Sequence, residues 1–596
     1  MNVAEYIIKF LEEKGTDEVF MVSGGQAMYL IDAIYRSGKF NVTCVHHEQS
    51  AGMAADAYGR LKGKPAIALV TAGPGAVNVI NGVVGGWTDS APMIVISGQS
   101  NLVNVQYQEQ TGIRQFGVQG INIKLLVGKI TKYFITVDDP AKLLTYLETA
   151  YWLATSGRPG PVWLDVPLDV QRAEVPENIV SDFKPPAEKK FEPAVSQIEK
   201  AIEMLSNSKR PVLLAGQGVR LADAVKEFTE VIAKLKIPVL TSRLGIDLIA
   251  SDNDLYVGRP GTYGERSAHF AIQNSDLLIA VGCRLTTSLI GHNSKDFARN
   301  AKKIVIDVDP MELNKPGLAI DLKIQADAKI FLKLLSDKLD SAKSINFSAW
   351  IKKCQEWKVN YPVVLPAYKE EDPVNSYYFT DRLSALSAPN DMVLVDTGSC
   401  FHVAAQTWKI KPGQRFLTTG GLSSMGYWVA GIGACAANNR QRTIVITGDG
   451  SLQMNIQEFA TIKHNNLPIK VFIFNNNGYL LIRHTQKNFM EGRLLGTGPE
   501  SGVWCPDSLA IAQAYGIKGV RIAHADEVDK KIAEVLNYDG PVVCDVMTPE
   551  WQLIVPRVAS EKNAEGKLVQ KPYEDMFPYL DKDELAKNMI EKYEKA

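Results

Sequence analysis

Apolar positions along this chain alternate between short continuous runs and stripes at helical spacing, the pattern of strands and amphipathic helices taking turns. It is plainest over residues 448–479 and the run before them. Residues 443–447 (TIVIT) read as a buried strand that stops at Gly448-Asp449-Gly450. Leu452, Ile456, Phe459, Ala460 and Lys463, spaced by three or four, predict one amphipathic helix. Pro468 opens a second strand, 469–474, which ends at Asn475-Asn476. Strand, helix, strand is a crossover unit, so the two strands are expected parallel and close in the sheet. Asp449 and Asn476 then share the carboxyl-end edge, where open α/β sheets bind ligands. A carboxylate, an amide oxygen and a nearby backbone carbonyl form a hard oxygen set suited to Mg²⁺. Gly450 and Ser451 stand where a helix begins, and free N–H groups there favour a phosphate. The stretch predicts a cradle for a metal-bound diphosphate.

The same alternation runs along the rest of the chain. Strands are expected at 18–22, 42–45, 66–70 and 93–97, with a last one within 158–171. A segment rich in Pro, Lys and Glu, 174–192, reads as a linker. A second unit places strands at 211–214, 238–241, 276–281 and 303–307; a third places them at 392–395, 443–447, 469–474 and 540–546, the last closing its sheet. The fold class expected is α/β, three doubly wound parallel-sheet domains covering 1–173, 193–345 and 376–560, with a charged, loop-like tail at 561–596. The helix AGMAADAYGRLKG (51–63) is rich in small residues, which permits close backbone packing or contact with another subunit.

Composition narrows the partners. With 596 residues, 46% hydrophobic and 22% charged, the chain has material for several cores. A net charge of -1 without a basic tract argues against nucleic acid. No apolar run reaches membrane-span length, and the first residues read as an amphipathic helix with Glu12 and Glu13, not an export signal. Seven dispersed cysteines without a CxxC pair predict reduced thiols in a cytoplasm and no structural zinc.

GDG at 448–450, NNNGY at 475–479, HEQ-AG at 47–52, GPGAVN at 73–78, PMIVISGQ at 92–99 and RPGPVWLDVP at 158–167 occur in that set and spacing. By these motifs the chain resembles the acetolactate synthase-like branch of thiamine diphosphate-dependent enzymes across almost its whole length. The resemblance implies a cofactor held between the first domain of one subunit and the third of another, hence a homodimer at least and a homotetramer as the expected state. It implies that Glu48 hydrogen-bonds a ring nitrogen of the aminopyrimidine and so promotes deprotonation of the thiazolium, and that Gln119 reaches into the reaction space. Mg²⁺ would take Asp449, Asn476 and the carbonyl of Gly478. Met425 would lie beneath the thiazolium and bend the cofactor, with the carbonyl of Ser423 facing its amino group. Pro74, Asn78, Thr397, Gly398, His402, Gly448, Gly450, Ser451 and Tyr479 would complete the cofactor site.

In the middle domain, AGQG (215–218), Gly282-Cys283-Arg284, IDVDP (306–310) and QAD (325–327) resemble the nucleotide pattern of FAD-containing acetolactate synthases. Arg284, Asp307 and Asp327 are thereby expected at a structural, non-redox FAD; an ADP site or an empty one is the alternative. One departure bears on specificity. Where acetolactate synthases read LGMV and then QW, this chain reads Leu480-Leu481-Ile482-Arg483-His484-Thr485, with Thr485 in place of the tryptophan. Arg483 and His484 are expected to add polarity, and the acceptor to be larger or more polar than a second 2-oxoacid. The activity expected is a carboligase that decarboxylates a 2-oxoacid, pyruvate first among candidates, and passes the acyl unit to a 2-oxoacid or a keto-sugar nucleotide. A simple 2-oxoacid decarboxylase and a thiamine-dependent C–C lyase or hydrolase are the alternatives.

Overall fold

The computed structural model describes residues 1–186, 191–340, 346–562 and 565–590. The middle of the expected linker, the end of the expected central domain, and the centre and end of the tail lie outside these residues. Three six-stranded sheets form, and every strand pairing within them is parallel.

The first sheet holds β1 (Glu18–Met21), β2 (Asn41–Cys44), β3 (Ala66–Val70), β4 (Met93–Gln99), β5 (Tyr133–Thr136) and β6 (Pro161–Pro167), in the order β2-β1-β3-β4-β6-β5. The third holds β13 (Met392–Val395), β14 (Arg415–Thr418), β15 (Thr443–Gly448), β16 (Ile469–Asn475), β17 (Lys518–Ile522) and β18 (Val542–Met547), in the order β14-β13-β15-β16-β18-β17. The two have one topology. Between them, β7 (Pro211–Ala215), β8 (Val239–Thr241), β9 (Tyr256–Gly258), β10 (Leu277–Val281), β11 (Lys302–Asp307) and β12 (Leu322–Gln325) run β12-β11-β10-β7-β8-β9. Counted within that domain this is the dinucleotide-binding order, whose crevice opens between its first and fourth strands, β7 and β10.

Several expectations are corrected. The helix read across 452–463 is two pieces, Asp449–Leu452 and Glu458–His464. Asn455 between them adopts φ +70°, a left-handed conformation that asparagine tolerates and a helix does not. The strand sought within 158–171 stops at Pro167, and Leu168–Gln171 turns into a short helix. β18 does not close the third sheet, because β17 pairs outside it. The tail is not merely loop-like: it forms a hairpin, Ser560–Lys562 with Leu568–Gln570, and a helix, Lys582–Asn588. It docks on the middle domain, where Tyr573 is buried and stacked on His269 at 4.0 Å and Glu574 pairs with Arg299 at 2.6 Å.

The first and third domains meet through small residues. The helix Glu48–Lys62 lies so close to the helix Ala430–Ala437 that a Cβ on Gly433 would stand 1.9 Å from the carbonyl oxygen of Ala54. The close packing expected of the 51–63 helix is thus found within one chain. At one end of this contact a buried charge network closes the junction. Arg60 Nη1 donates to Thr418 O at 2.9 Å and lies 3.4 Å from Asp89, whose carboxylate also accepts from Gly420 N and Gly421 N at 2.7 Å each.

Candidate functional site

β15 and β16 are neighbours with Gly448 opposite Phe474, so Asp449 and Asn476 emerge side by side at the carboxyl edge. The carboxylate of Asp449 accepts Gly450 N at 2.8 Å and Gly478 N at 2.9 Å, which folds the NNNGY loop back over the end of β15. Burial pushes the Asp449 carboxyl up to about 6, a shift that a bound cation would reverse. Asn476 Oδ1 is buried and has no partner. A buried carbonyl oxygen without a donor carries a desolvation cost of about 1–3 kcal/mol unless something electropositive meets it. Gly478 has φ +130°, and a Cβ there would fall 2.2 Å from Thr497 O, so the loop admits no other residue at that position. The ring of Tyr479 rests against Gly450.

The rest of the expected diphosphate set converges on one side chain that the motifs do not flag. Asp396, at the end of β13, is fully buried and accepts Thr397 N at 2.7 Å, Tyr427 N at 3.2 Å, Thr447 Oγ1 at 2.9 Å and Ser451 Oγ at 2.6 Å. It ties the Thr397-Gly398 turn, the Ser423–Gly426 turn and the Gly448–Ser451 turn together across the β13/β15 switch point. Ser451 Oγ in turn accepts Gly426 N at 2.8 Å, which sets the position of Met425. Met425 is half-buried and stands outside the hydrophobic cores, unlike an ordinary core methionine. Ser423 has φ +56°.

The first-domain residues form a separate cluster at the carboxyl edge of their own sheet. Glu48 opens its helix half-buried and accepts Asn78 Nδ2 at 3.0 Å; Pro74 starts the short helix that carries Asn78. Gln119 is exposed at φ +56°, its carbonyl against Gly73. Gln119, Ser423 and Asn477 (φ +60°) are three non-glycine residues in the left-handed region, all in loops of the expected site. Such strain gathers where a site dictates the backbone. Among the described residues no hydrogen bond or ion pair links the Glu48 cluster to the Asp449 cluster of the same chain.

A cavity of about 440 Å³ opens at the β7/β10 crevice and is walled by all three domains. That volume falls within the ~300–1,000 Å³ of ligand and cofactor sites. Arg284, Asp307 and Asp327 line it as expected. Arg284 also reaches across the domain junction, donating to Thr88 O at 2.7 Å and lying 3.6 Å from Asp89. Asp327 caps the following helix through Lys329 N and Ile330 N. His402, expected at the thiamine diphosphate, stands instead on this cavity wall, stacked on Tyr263 at 3.9 Å. Burial and the nearby Arg243 drive its pKa down to about 3, so it offers no positive charge. Arg243 is the residue that motif reading missed. Its guanidinium lies over Phe401 at 3.7 Å, its Nε is buried without a partner, and burial lowers it to about 10. A lone arginine before a loop carries no sequence signal that would single it out.

The acceptor segment is also reassigned. In the helix Leu480–Phe489, Arg483 and His484 turn away from the exposed face. Arg483 is buried among backbone carbonyls, and His484 Nε2 bonds to Gln552 O at 2.9 Å. Ile482, Thr485 and Phe489 form the exposed face, with the Thr485 hydroxyl donating to Leu481 O at 2.9 Å.

Three parallel sheets, two alike and one of dinucleotide order, define a multidomain α/β protein whose switch points suit ligand binding. Comparison with known proteins fixes which. Residues 1–119 match the N-terminal TPP binding domain of thiamine pyrophosphate enzymes, residues 198–335 their central domain, and residues 396–546 their C-terminal TPP binding domain. The acetolactate synthase large subunit of Cyanidium caldarium is 33% identical over 570 residues, covering 94% of this chain and 95% of that one. Acetolactate synthase isozyme 2 large subunit of Escherichia coli (strain K12) is 31% identical over 573 residues, covering 95% and 100%. The large subunit of Corynebacterium glutamicum is 32% identical over 602 residues, covering 98% and 92%. The chain belongs to the thiamine pyrophosphate enzyme family, and it is an acetolactate synthase-like, thiamine diphosphate-dependent enzyme.

Proposed function

We propose that this enzyme is a Mg²⁺-dependent carboligase that decarboxylates a 2-oxoacid and joins the retained acyl unit to a second carbonyl compound. The observation that carries the reading is the edge formed by Asp449, the unpartnered Oδ1 of Asn476 and the Gly478 loop, in a chain similar end to end to enzymes named acetolactate synthases. Asp449, Asn476 and the Gly478 carbonyl hold the metal; Thr397, Gly398, Gly448, Gly450, Ser451 and Tyr479 surround the diphosphate. When bound, thiamine diphosphate supplies a nucleophilic carbon and then stores the electron pair released with CO₂. Glu48 shares a proton with the aminopyrimidine ring, Met425 and Ser423 fix its orientation, and the Gln119 amide donates to the substrate carboxylate or a developing alkoxide.

The site is completed by a second copy. Around Gln119 the chain exposes Tyr107, Ile113, Phe116, Val118, Leu125 and Leu126; around the NNNGY loop it exposes Met454, Ile482, Phe489, Met490, Leu495 and Trp504. Two apolar faces of this size suit an interface between copies, with Glu48 of one facing the Asp449 cradle of the other. The middle cavity takes a nucleotide diphosphate such as FAD, supported by the free guanidinium edge of Arg243 and the dinucleotide strand order.

The exposed Ile482–Thr485–Phe489 face leaves room at Thr485 for an acceptor bulkier than a 2-oxoacid, and its lining is apolar plus one hydroxyl. Mass spectrometry of products from pyruvate, with ketone, aldehyde, 2-oxoacid and keto-sugar nucleotide acceptors, tests this directly. A product of acceptor plus acetyl mass that requires thiamine diphosphate and Mg²⁺ supports the reading. Free acetaldehyde with every acceptor makes the enzyme a simple decarboxylase, and no CO₂ from any 2-oxoacid refutes both.

A further inference from the structure

Arg483 sits one turn below the NNNGY loop, 4% exposed. Its guanidinium donates to four backbone carbonyls: Nη1 to Glu550 O at 2.6 Å and Asn476 O at 3.2 Å, Nη2 to Asn477 O at 2.8 Å and Thr497 O at 3.2 Å. We propose that Arg483 is a positioning residue of the metal cradle, an inference that rests on the Mg²⁺–diphosphate reading of that cradle.

The contacts are distributed where the cradle needs support. Asn476 carries the buried, unpartnered Oδ1, and Asn477 holds the left-handed conformation that turns the chain towards Gly478. Thr497 O, the fourth acceptor, also takes Tyr479 N at 2.8 Å and closes on Gly478 from the side. Asn477 is tied a second time to the 550 segment, its Nδ2 donating to the Glu550 carboxylate at 2.8 Å. Residues 476–479 are therefore gripped by Asp449 just past β15 and by Arg483 from the following helix, with the segments at Thr497 and Glu550 bound into the same clamp. Asn476 Oδ1 and the Gly478 carbonyl are left for a metal. A planar fork can meet four carbonyls at once; a lysine ammonium has three donors from a single point and cannot reproduce that span. Outer contacts of this kind aim the ligands themselves, and their loss costs about 10–100-fold in metal affinity.

The test is calorimetric titration of thiamine diphosphate into the full-length apo-enzyme at a series of MgCl₂ concentrations. Wild type, Arg483→Lys and Arg483→Met are compared, with unfolding temperature read in parallel. The expected result is a Mg²⁺ midpoint raised about tenfold or more in Arg483→Lys, and further in Arg483→Met, with binding recovered at saturating Mg²⁺. An unchanged midpoint in the Lys variant overturns the inference, even if its unfolding temperature falls, because that pattern belongs to a purely structural residue. If the Met variant does not fold, the Lys variant decides. Wild type that binds thiamine diphosphate without regard to Mg²⁺ refutes the cradle reading itself, a distinct outcome.

Discussion

Exchanging the Glu48 carboxylate for an amide alters one atom and keeps a group of the same shape beside Asn78 Nδ2. Glu48→Gln is expected to fold normally by circular dichroism and to lose about 10²–10⁴-fold in kcat, the usual worth of a positioned proton-transfer group. A kcat within a few fold of wild type would remove Glu48 from the chemistry. At this scale the motifs named the candidate residues but not their neighbours. The pairing of Asp449 with Asn476 was legible because strand ends fix it. Asp396 was not, since its four donors come from three segments that meet only in the folded domain. Arg483, His484 and Thr485 were equally visible as letters. Which of them is presented to the outside depended on how the helix is rotated, and of the three only Thr485 is exposed.

At the scale of elements, the interior strands were readable and, β2 apart, the edges were not. β5, β9, β12, β14 and β17 went unpredicted, and each is an outer strand of its sheet. An interior strand is buried on both faces and shows as a continuous apolar run, whereas an edge strand is short or part-exposed and carries polar residues such as those of KGVRI in β17. Helix contacts give sharper tests. A glycine inside a helix is ordinarily worse than a larger residue by up to about 1 kcal/mol, so propensity alone favours Gly433→Val. The 1.9 Å approach to Ala54 O reverses the sign: the substitution is expected to cost about 1–3 kcal/mol and to lower the calorimetric unfolding temperature. The docked tail yields a pH test. His269, stacked on Tyr573, donates its Nδ1–H to Tyr573 O at 2.6 Å and accepts Gly261 N–H at Nε2 at 3.3 Å, and burial holds it at about 4 against an ordinary 6.5. Its folded pKa is depressed, so the unfolded chain binds the extra proton between those values. Its contribution is intact above about pH 6.5 and is lost as pH falls towards 4, worth about 3 kcal/mol in full. Denaturant titrations at pH 7 and pH 4.5 should therefore differ by less in His269→Gln than in wild type; an equal difference would contradict the assignment.

For the whole molecule, the proposed reading makes the single chain an incomplete enzyme. Its first and third domains are locked together by the small-residue helices and the Arg60–Asp89 network, yet the Glu48 cluster and the Asp449 cluster remain separate at the edges of two sheets. That the middle cavity is walled by all three domains was not legible either, because Arg243, Phe401 and His402 reach it from segments far apart in sequence. The most direct measurement of the central claim is complementation between two inactive variants, Glu48→Gln and Asp449→Asn, co-expressed with different tags and purified as mixed assemblies. In a symmetric dimer whose site joins two copies, each mixed dimer keeps one intact site of its two, so the purified mixed assemblies should show about half of wild-type activity. Mixed assemblies as inactive as either parent would contradict the account, because that result places Glu48 and the Asp449 cradle at one site within one chain.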